Sequence, residues 1–146
     1  MELQQLGHYS KINIIMKYSF GLWKYNDGKE IRFTPYLDVM DNDYLKPLID
    51  YFVMLDYHYI KYKQGNNIDN WISIIDKQLY LNNNEEYIGD FVCVFFEFDK
   101  VKVISFNDYD SGKENYCKLD INIFRRLTIE WKWFVIDWEI SLLVKK

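Results

Sequence analysis

The sequence predicts an α+β protein, with a mostly antiparallel β-sheet and two or three helices packed on it. Three observations predict this class. Apolar residues alternate on both sides of an Asp-Gly pair, they recur at helical spacing over residues 43–63, and an unbroken apolar run, Phe91–Phe96, precedes a tight turn. The predicted order is two strands, two helices, two strands, a short helix and a last strand, which is typical of α+β domains. The length of 146 residues predicts one domain, residues 1–146.

The first predicted element is a β-hairpin. Residues 10–25 alternate between apolar and polar side chains, and the alternation stops at Asn26-Asp27-Gly28-Lys29. An Asp-Gly pair between two alternating segments favours a tight hairpin turn, so a second strand is predicted over residues 30–34. Pro35 is expected to prevent that strand from continuing as a central strand, because proline has no N–H to donate to a neighbouring strand.

Two helices are predicted next. The first covers residues 43–63, with Asp43 as its N-cap and Pro47 in its first turn, where a missing N–H costs little. The second covers residues 70–80, capped by Asp69 or Asn70, and the three asparagines at 82–84 end it.

The second half of the chain predicts another hairpin and an ambiguous C-terminal region. Phe91–Phe98 and Val101–Phe106 are predicted strands joined at Asp99-Lys100, and Asn107–Asn115 is predicted to be a polar loop. Apolar residues in the last third fit both a helix and a strand. A short helix over 120–131 and a last strand over 133–143 are predicted from their β-branched and aromatic content.

Composition and charge narrow the class of function. The chain has 18 basic and 22 acidic residues and a net charge of −4. A direct nucleic-acid ligand is disfavoured because such binding needs a basic surface. The longest apolar run is far shorter than the ~20 residues that span a bilayer, so no membrane partner is expected. The two cysteines form no metal-binding pair, and the N-terminus does not resemble a secretory signal, so a reduced, cytoplasmic protein is expected.

Catalytic and cofactor motifs are scarce in the sequence. The histidines are His8 and His58, no HExxH is present, and no glycine-rich phosphate loop occurs. His58 lies among acids and tyrosines, which is compatible with proton transfer but is more typical of a partly exposed helix residue. We therefore expect that the protein is not an enzyme and that it binds no cofactor and no metal.

The remaining signal is a pattern of acids interleaved with aromatic residues on two predicted surfaces. Such surfaces fit a basic cleft, because carboxylates speed association and buried tyrosines slow dissociation. The alternative is that turns and helix starts simply collect aspartates. The candidate partner-binding residues are Asp41, Asp43, Asp50, Met54, Asp56 and Tyr57 (the helix surface) and Asp108, Tyr109, Asp110 and Glu114 (the loop surface).

In size, acidity, aromatic richness and these acid–tyrosine clusters, the chain resembles the immunity proteins of bacterial polymorphic-toxin and contact-dependent growth-inhibition systems. Asp50, Asp56 and Tyr57 resemble the acids and tyrosines that nuclease immunity proteins often present from a helix. The resemblance implies a cytoplasmic inhibitor that binds a cognate toxin domain, a nuclease with a basic active site, by stoichiometric occlusion. Two alternatives stay open: a small enzyme or ligand-binding domain with an aromatic–acidic pocket, and a structural or oligomer-forming protein.

Overall fold

The protein has an α+β fold with two antiparallel sheets. The computed structural model describes residues 18–26, 28–29, 31–39, 42–61, 66–106 and 115–144. Within these residues the strands are β1 (Ser19–Asn26), β2 (Ile31–Asp38), β3 (Asn84–Ile88), β4 (Val92–Glu97), β5 (Lys100–Ser105) and β6 (Asn115–Asp120), and the α-helices are α1 (Lys46–Met54), α2 (Asn67–Leu81) and α3 (Ile121–Val144).

The N-terminal hairpin is confirmed, although its second strand is longer than predicted. β1 and β2 pair from Ser19 opposite Asp38 to Asn26 opposite Ile31. β2 continues through Pro35 to Asp38, but not as a central strand, in agreement with the prediction. Among the described residues β2 pairs with β1 alone, so a proline is tolerated where its missing N–H faces the unpaired side. Residues 10–17 of the predicted first strand lie outside the described residues.

The larger sheet has the strand order β3-β4-β5-β6. The β4–β5 hairpin is confirmed, with Glu97 opposite Lys100, so the connecting residues are Phe98 and Asp99 rather than Asp99 and Lys100. β3 and β6, which the sequence did not predict, extend it on both sides. One face of the sheet lies on the core, where Phe96 of β4 meets Phe124 of α3 with 6.3 Å between ring centroids. The opposite face, called here the outer face, carries Ile88, Cys93, Ile104, Tyr116, Glu86, Phe95, Lys102, Lys118, Asn84, Glu97, Lys100 and Asp120 in three cross-strand rows.

The first helix is much shorter than predicted. A 3₁₀ turn, Asp43–Leu45, precedes α1, and its cap is Asn42 rather than Asp43, because the Asn42 side chain accepts from the Tyr44 N–H. α1 ends at Met54, and Leu55 is extended, so the predicted continuation of this helix toward residue 63 is wrong for the residues described. The Leu55 N–H still donates to the Tyr51 carbonyl, but the amides of Asp56 and of residues 59–61 donate to side-chain acceptors instead of helical carbonyls, so their hydrogen bonds do not require the helix to continue.

The second helix is confirmed with an earlier start. α2 begins at Asn67, and Asn66 is its N-cap, since its side chain accepts from the Asp69 N–H at 3.1 Å. The helix ends at Asn82, which adopts a left-handed conformation with φ of 53°. The three asparagines therefore mark the end of the helix, as the sequence indicated.

The C-terminal region is one long helix, so the predicted strand over 133–143 is wrong. α3 buries side chains at helical spacing along its full length, including Phe124, Trp131, Val135 and Trp138. The alternation that indicated a strand arises because apolar residues lie on a second side of the same helix. No helix in the described part of the chain is both long enough and apolar enough to cross a membrane.

One aromatic core joins both sheets and all three helices. The Tyr51 ring of α1 packs 4.6 Å from Phe124, and Phe20 of β1 and Phe52 of α1 pack on Trp131 at 5.6 and 5.1 Å between centroids. The buried Tyr51 hydroxyl is satisfied by Thr128 at 2.7 Å. Burial raises the pKa of Tyr51, so its hydroxyl stays protonated at neutral pH.

Candidate functional site

The predicted helix surface does not form a continuous acidic stripe. Asp43 is exposed and pairs with Lys46 at 3.0 Å, and Tyr57 is 47% exposed beyond the end of α1. Asp41 lies outside the described residues. The two exposed members are therefore separated by the whole length of the helix.

Three other members of the helix surface make contacts within the fold. Asp50 accepts a hydrogen bond from the Ser105 hydroxyl of β5, and Met54 packs against the core. Asp56 and Asn67 exchange two hydrogen bonds of 2.7 Å: the Asp56 carboxylate accepts from the Asn67 N–H, and the Asn67 side-chain oxygen accepts from the Asp56 N–H. Asp56 thus ties the start of α2 to the segment that follows α1.

The predicted loop surface, Asp108, Tyr109, Asp110 and Glu114, lies outside the described residues. The strand ends on either side of this loop are described. Ser105 stands opposite Asn115, and the next residues along the strands are Phe106 and Tyr116, both exposed.

The outer face carries a group of large exposed side chains, because the helices pack on the other face of the sheet. Phe91 and Phe106 prolong the β4–β5 ladder by one pair, with the Phe106 N–H donating to the Phe91 carbonyl at 2.9 Å. Strand alternation places both residues on the same face as Cys93 and Ile104. The exposed apolar residues that share this face or its rim are Ile88, Phe91, Phe98, Phe106 and Tyr116. A group of this kind is typical of an interaction surface.

A shallow groove of about 600 Å³ lies at the edge of the sheet, where β3 and β4 meet the β4–β5 turn, and it is lined by residues of both faces: Glu85 and Phe96 belong to a core-face row. Its lining comprises Asn84, Glu85, Glu86, Phe95, Phe96, Glu97, Phe98 and Lys118. Three carboxylates against one ammonium group give the lining a net charge of −2. Lys118 binds Glu97 at 2.7 Å, and this hydrogen bond holds the pKa of Glu97 below its usual range. The hydrogen bond from Tyr87 likewise lowers the pKa of Glu85, so both carboxylates are ionised at neutral pH.

Phe98 stands at the rim of this groove in an unfavourable backbone conformation. It is the first residue of the two-residue β4–β5 turn, its φ is 58°, and its side chain is 57% exposed. The left-handed region costs an L-residue about 1–2 kcal/mol, which is why glycine is usual at such positions. A bulky, exposed phenylalanine there is a candidate contact residue, since strained residues cluster at functional sites.

The buried acid Glu139 of α3 was not singled out by the sequence. Its carboxylate accepts hydrogen bonds from the consecutive backbone amides of Tyr59, Ile60 and Lys61, and it lies 3.4 Å from Nδ1 of His58. It therefore fixes the segment that carries Tyr57. His58, the histidine weighed for proton transfer, belongs to this structural network.

Neither the cysteines nor the acids of the described residues form a metal site. Cys93 and Cys117 are buried and unbridged, and burial raises the pKa of Cys93 to about 11 and that of Cys117 to about 12. No group of three or more His, Cys, Asp or Glu side chains within the described ranges could hold an ion.

Comparisons with known proteins give no match: no protein-family model, no curated protein and no solved structure is similar to this chain. The description of the site therefore rests on the geometry alone. Sequence reasoning missed the groove, because Glu85 and Glu86 lie on the unpredicted strand β3. The one local sequence feature that indicated part of the groove was the Phe98-Asp99 pair between two apolar strands, since it marks the turn at the groove rim.

Proposed function

We propose that this protein is a cytoplasmic inhibitor that binds a basic protein partner, a cognate toxin domain, through the outer face of its four-stranded sheet. The observation that carries the proposal is the combination of exposed apolar side chains on and around the outer face with a groove at the sheet edge that holds the carboxylates of Glu86 and Glu97. The proposal keeps the class of partner expected from the sequence and moves the contact from the helix surface to the sheet.

The two parts of this surface have different roles in binding. Phe91, Phe98 and Phe106 supply the area that leaves water on contact, and buried aromatic anchors account for most of the affinity at protein interfaces. The carboxylate of Glu86 attracts a basic partner and orients it before contact, whereas Glu85 is already paired with Lys77 at 3.6 Å. A lysine or arginine of the partner fits the groove, where carboxylates and phenyl rings both favour a cation. Inhibition then follows from occlusion and requires no turnover.

The test is a binding measurement against the protein product of the gene adjacent to this chain's gene. Phe98→Ala and Glu86→Lys are expected to weaken binding about thirtyfold each, which corresponds to about 2 kcal/mol. Glu86→Lys is also expected to slow association, most strongly at low salt. Thermal unfolding of each variant checks that the fold is intact.

Variants of the helix surface are the matched comparison. Asp43→Lys and Tyr57→Ala repeat the same two kinds of change at exposed positions on another part of the molecule. Near-normal affinity in these two variants, with losses in the outer-face pair, supports the proposal. Loss of affinity in the helix-surface variants alone would show that the partner binds the helix surface, as expected from the sequence.

The groove also favours a second candidate function, a ligand-binding domain. Three carboxylates and three phenyl rings around one depression fit a small organic cation such as an alkylammonium. Calorimetric titration with alkylammonium salts tests this function directly. Saturable binding that Glu86→Gln and Phe98→Ala both weaken would favour it over the inhibitor.

A further inference from the structure

Helix α3 has apolar residues on two sides, and the core uses one of them. The buried side includes Phe124, Trp131, Val135 and Trp138. A second row, called here the outward stripe, consists of Ile129, Trp133, Ile136, Ile140 and Leu143. Trp133 is 56% exposed, Ile140 and Leu143 are exposed as well, and the two remaining members are half-buried. A helix that is apolar on all sides is ordinarily covered on all sides.

The spacing of the outward stripe indicates what covers it. Its members are separated by four, three, four and three residues, which is the a/d spacing of a helix-pairing seam. Trp133 and Ile140 take the a positions, and Ile129, Ile136 and Leu143 take the d positions. Short isolated helices seldom pair because they must first form, but the core already holds α3 helical.

Charges on the two flanks of the outward stripe match a second copy of the same helix. Arg125 and Lys132 occupy g positions on one flank, and Glu130 and Asp137 occupy e positions on the other. In a parallel pair each g residue faces the e residue five positions later in the other copy, so Lys132 meets the partner's Asp137. Glu130, the residue opposite Arg125, already accepts a hydrogen bond from the Tyr18 hydroxyl at 3.2 Å, and Arg126 takes an a position that would face its own copy, so the pairing is limited to residues 129–143. An antiparallel pair would place acids beside acids.

The two g cations are already oriented by contacts within the chain. Arg125 binds Asp76 at 2.6 Å, and Lys132 binds Asp69 at 3.0 Å, both on α2. These exposed ion pairs hold the cations beside the stripe without burying them, so a second carboxylate from another copy can join the Lys132 pair. We propose that the outward stripe is a self-association face, through which two copies of this chain pair with their α3 helices parallel.

This inference is independent of the proposed function. α3 packs on the core face of the sheet, so the outward stripe and the outer face lie on opposite sides of the molecule. A dimer joined through α3 would leave both outer faces open, and one dimer could bind two partner molecules.

Sedimentation equilibrium on the full chain tests the proposal. The wild-type protein is expected to show a monomer–dimer equilibrium, and Ile140→Glu is expected to raise the dissociation constant at least about tenfold. Tyr80→Glu is the control, because Tyr80 is 88% exposed on α2 and lies outside the stripe. Circular dichroism melting verifies that both variants fold. A wild-type protein that stays monomeric up to its solubility limit would overturn the proposal, as would unchanged dimerisation of Ile140→Glu.

A charge reversal tests the orientation. Asp137→Lys places a lysine opposite the partner's Lys132 in a parallel pair and is expected to weaken the dimer. In an antiparallel pair the same change would relieve repulsion between acids and strengthen the dimer, which would refute the parallel arrangement. Co-sedimentation with anionic phospholipid vesicles tests whether a lipid surface, rather than a second copy, binds the outward stripe. A monomer that binds vesicles, and loses this binding in Ile140→Glu, would replace the second copy with a lipid surface.

Discussion

The backbone at Phe98 allows a stability prediction that isolates its strained conformation. Phe98→Ala and Phe98→Gly remove the same ring and the same contacts, so the difference between them reports the backbone alone. Glycine ordinarily destabilises relative to alanine by about 0.5–1 kcal/mol, because it loses more freedom on folding. At a φ of 58° alanine carries a penalty of about 1–2 kcal/mol that glycine avoids. The order is therefore expected to reverse, with the glycine variant more stable by about 0.5–1 kcal/mol.

Urea denaturation of the two variants measures this difference directly. The same pair of changes at Tyr116, an exposed residue of β6 without a positive φ, is the control and should show the ordinary order. A Phe98→Ala variant as stable as Phe98→Gly, or more stable, would refute the strained conformation. It would also remove the argument that the ring is kept at the groove rim for a contact. If that argument is right, both variants lose partner affinity to the same extent, whatever their stability.

Three further predictions concern buried groups. Glu139→Leu leaves three backbone amides without an acceptor and is expected to lower the free energy of unfolding by about 3 kcal/mol or more. Glu139→Gln keeps one acceptor oxygen and should lower the free energy of unfolding by less, and the control Asp90→Asn should leave it almost unchanged. Equal stability of all three variants in urea would contradict the role of Glu139 as an acceptor for these amides. Burial raises the pKa of Glu130, so its ionisation disfavours the folded state, and wild-type stability is expected to fall as the pH rises from the usual value of 4.5 through the folded pKa. Glu130→Gln should lack this fall, and parallel stability curves for the two proteins between pH about 4 and 7 would show the inference wrong. Cys93 and Cys117 should resist an aromatic disulfide reagent until the protein unfolds, since burial raises both thiol pKa values; rapid labelling of the native protein would contradict that burial.

Local patterns were enough for some elements of the fold. The two hairpins were predictable because alternation and turn residues are read over a few neighbouring positions. β3 and β6 were missed because they are edge strands: β6 buries Cys117 and Leu119 alone, and β3 buries none of its residues fully. Edge strands carry polar residues that prevent further pairing, and this obscures their alternation.

The C-terminal region shows why a pattern can fail even when it is strong. Residues 133–143 alternate because α3 has an apolar outward side as well as a buried side. Apolar residues drawn from both sides of one helix can fall at every second position of the sequence, which imitates the pattern of a strand. Length was the better evidence, since residues 123–144 contain no glycine or proline, and a segment of this length without such a break favours a helix over a strand. The same double-sided pattern that misled the strand prediction is what identifies the outward stripe.

The acids show where sequence reasoning about a site must stop. An aspartate that accepts a hydrogen bond from a backbone amide and an aspartate that binds a partner protein cannot be distinguished in a sequence, because both prefer turns and helix ends. Asp50 and Asp56 are occupied within the fold, and such carboxylates have little left to offer a basic partner. The groove acids also have partners within the fold, but a sheet register brings them together: Glu85 stands opposite Phe96, and Asn84 stands opposite Glu97. Residues that are adjacent only through strand pairing have no common sequence pattern, so the acidic groove could emerge only from the folded structure.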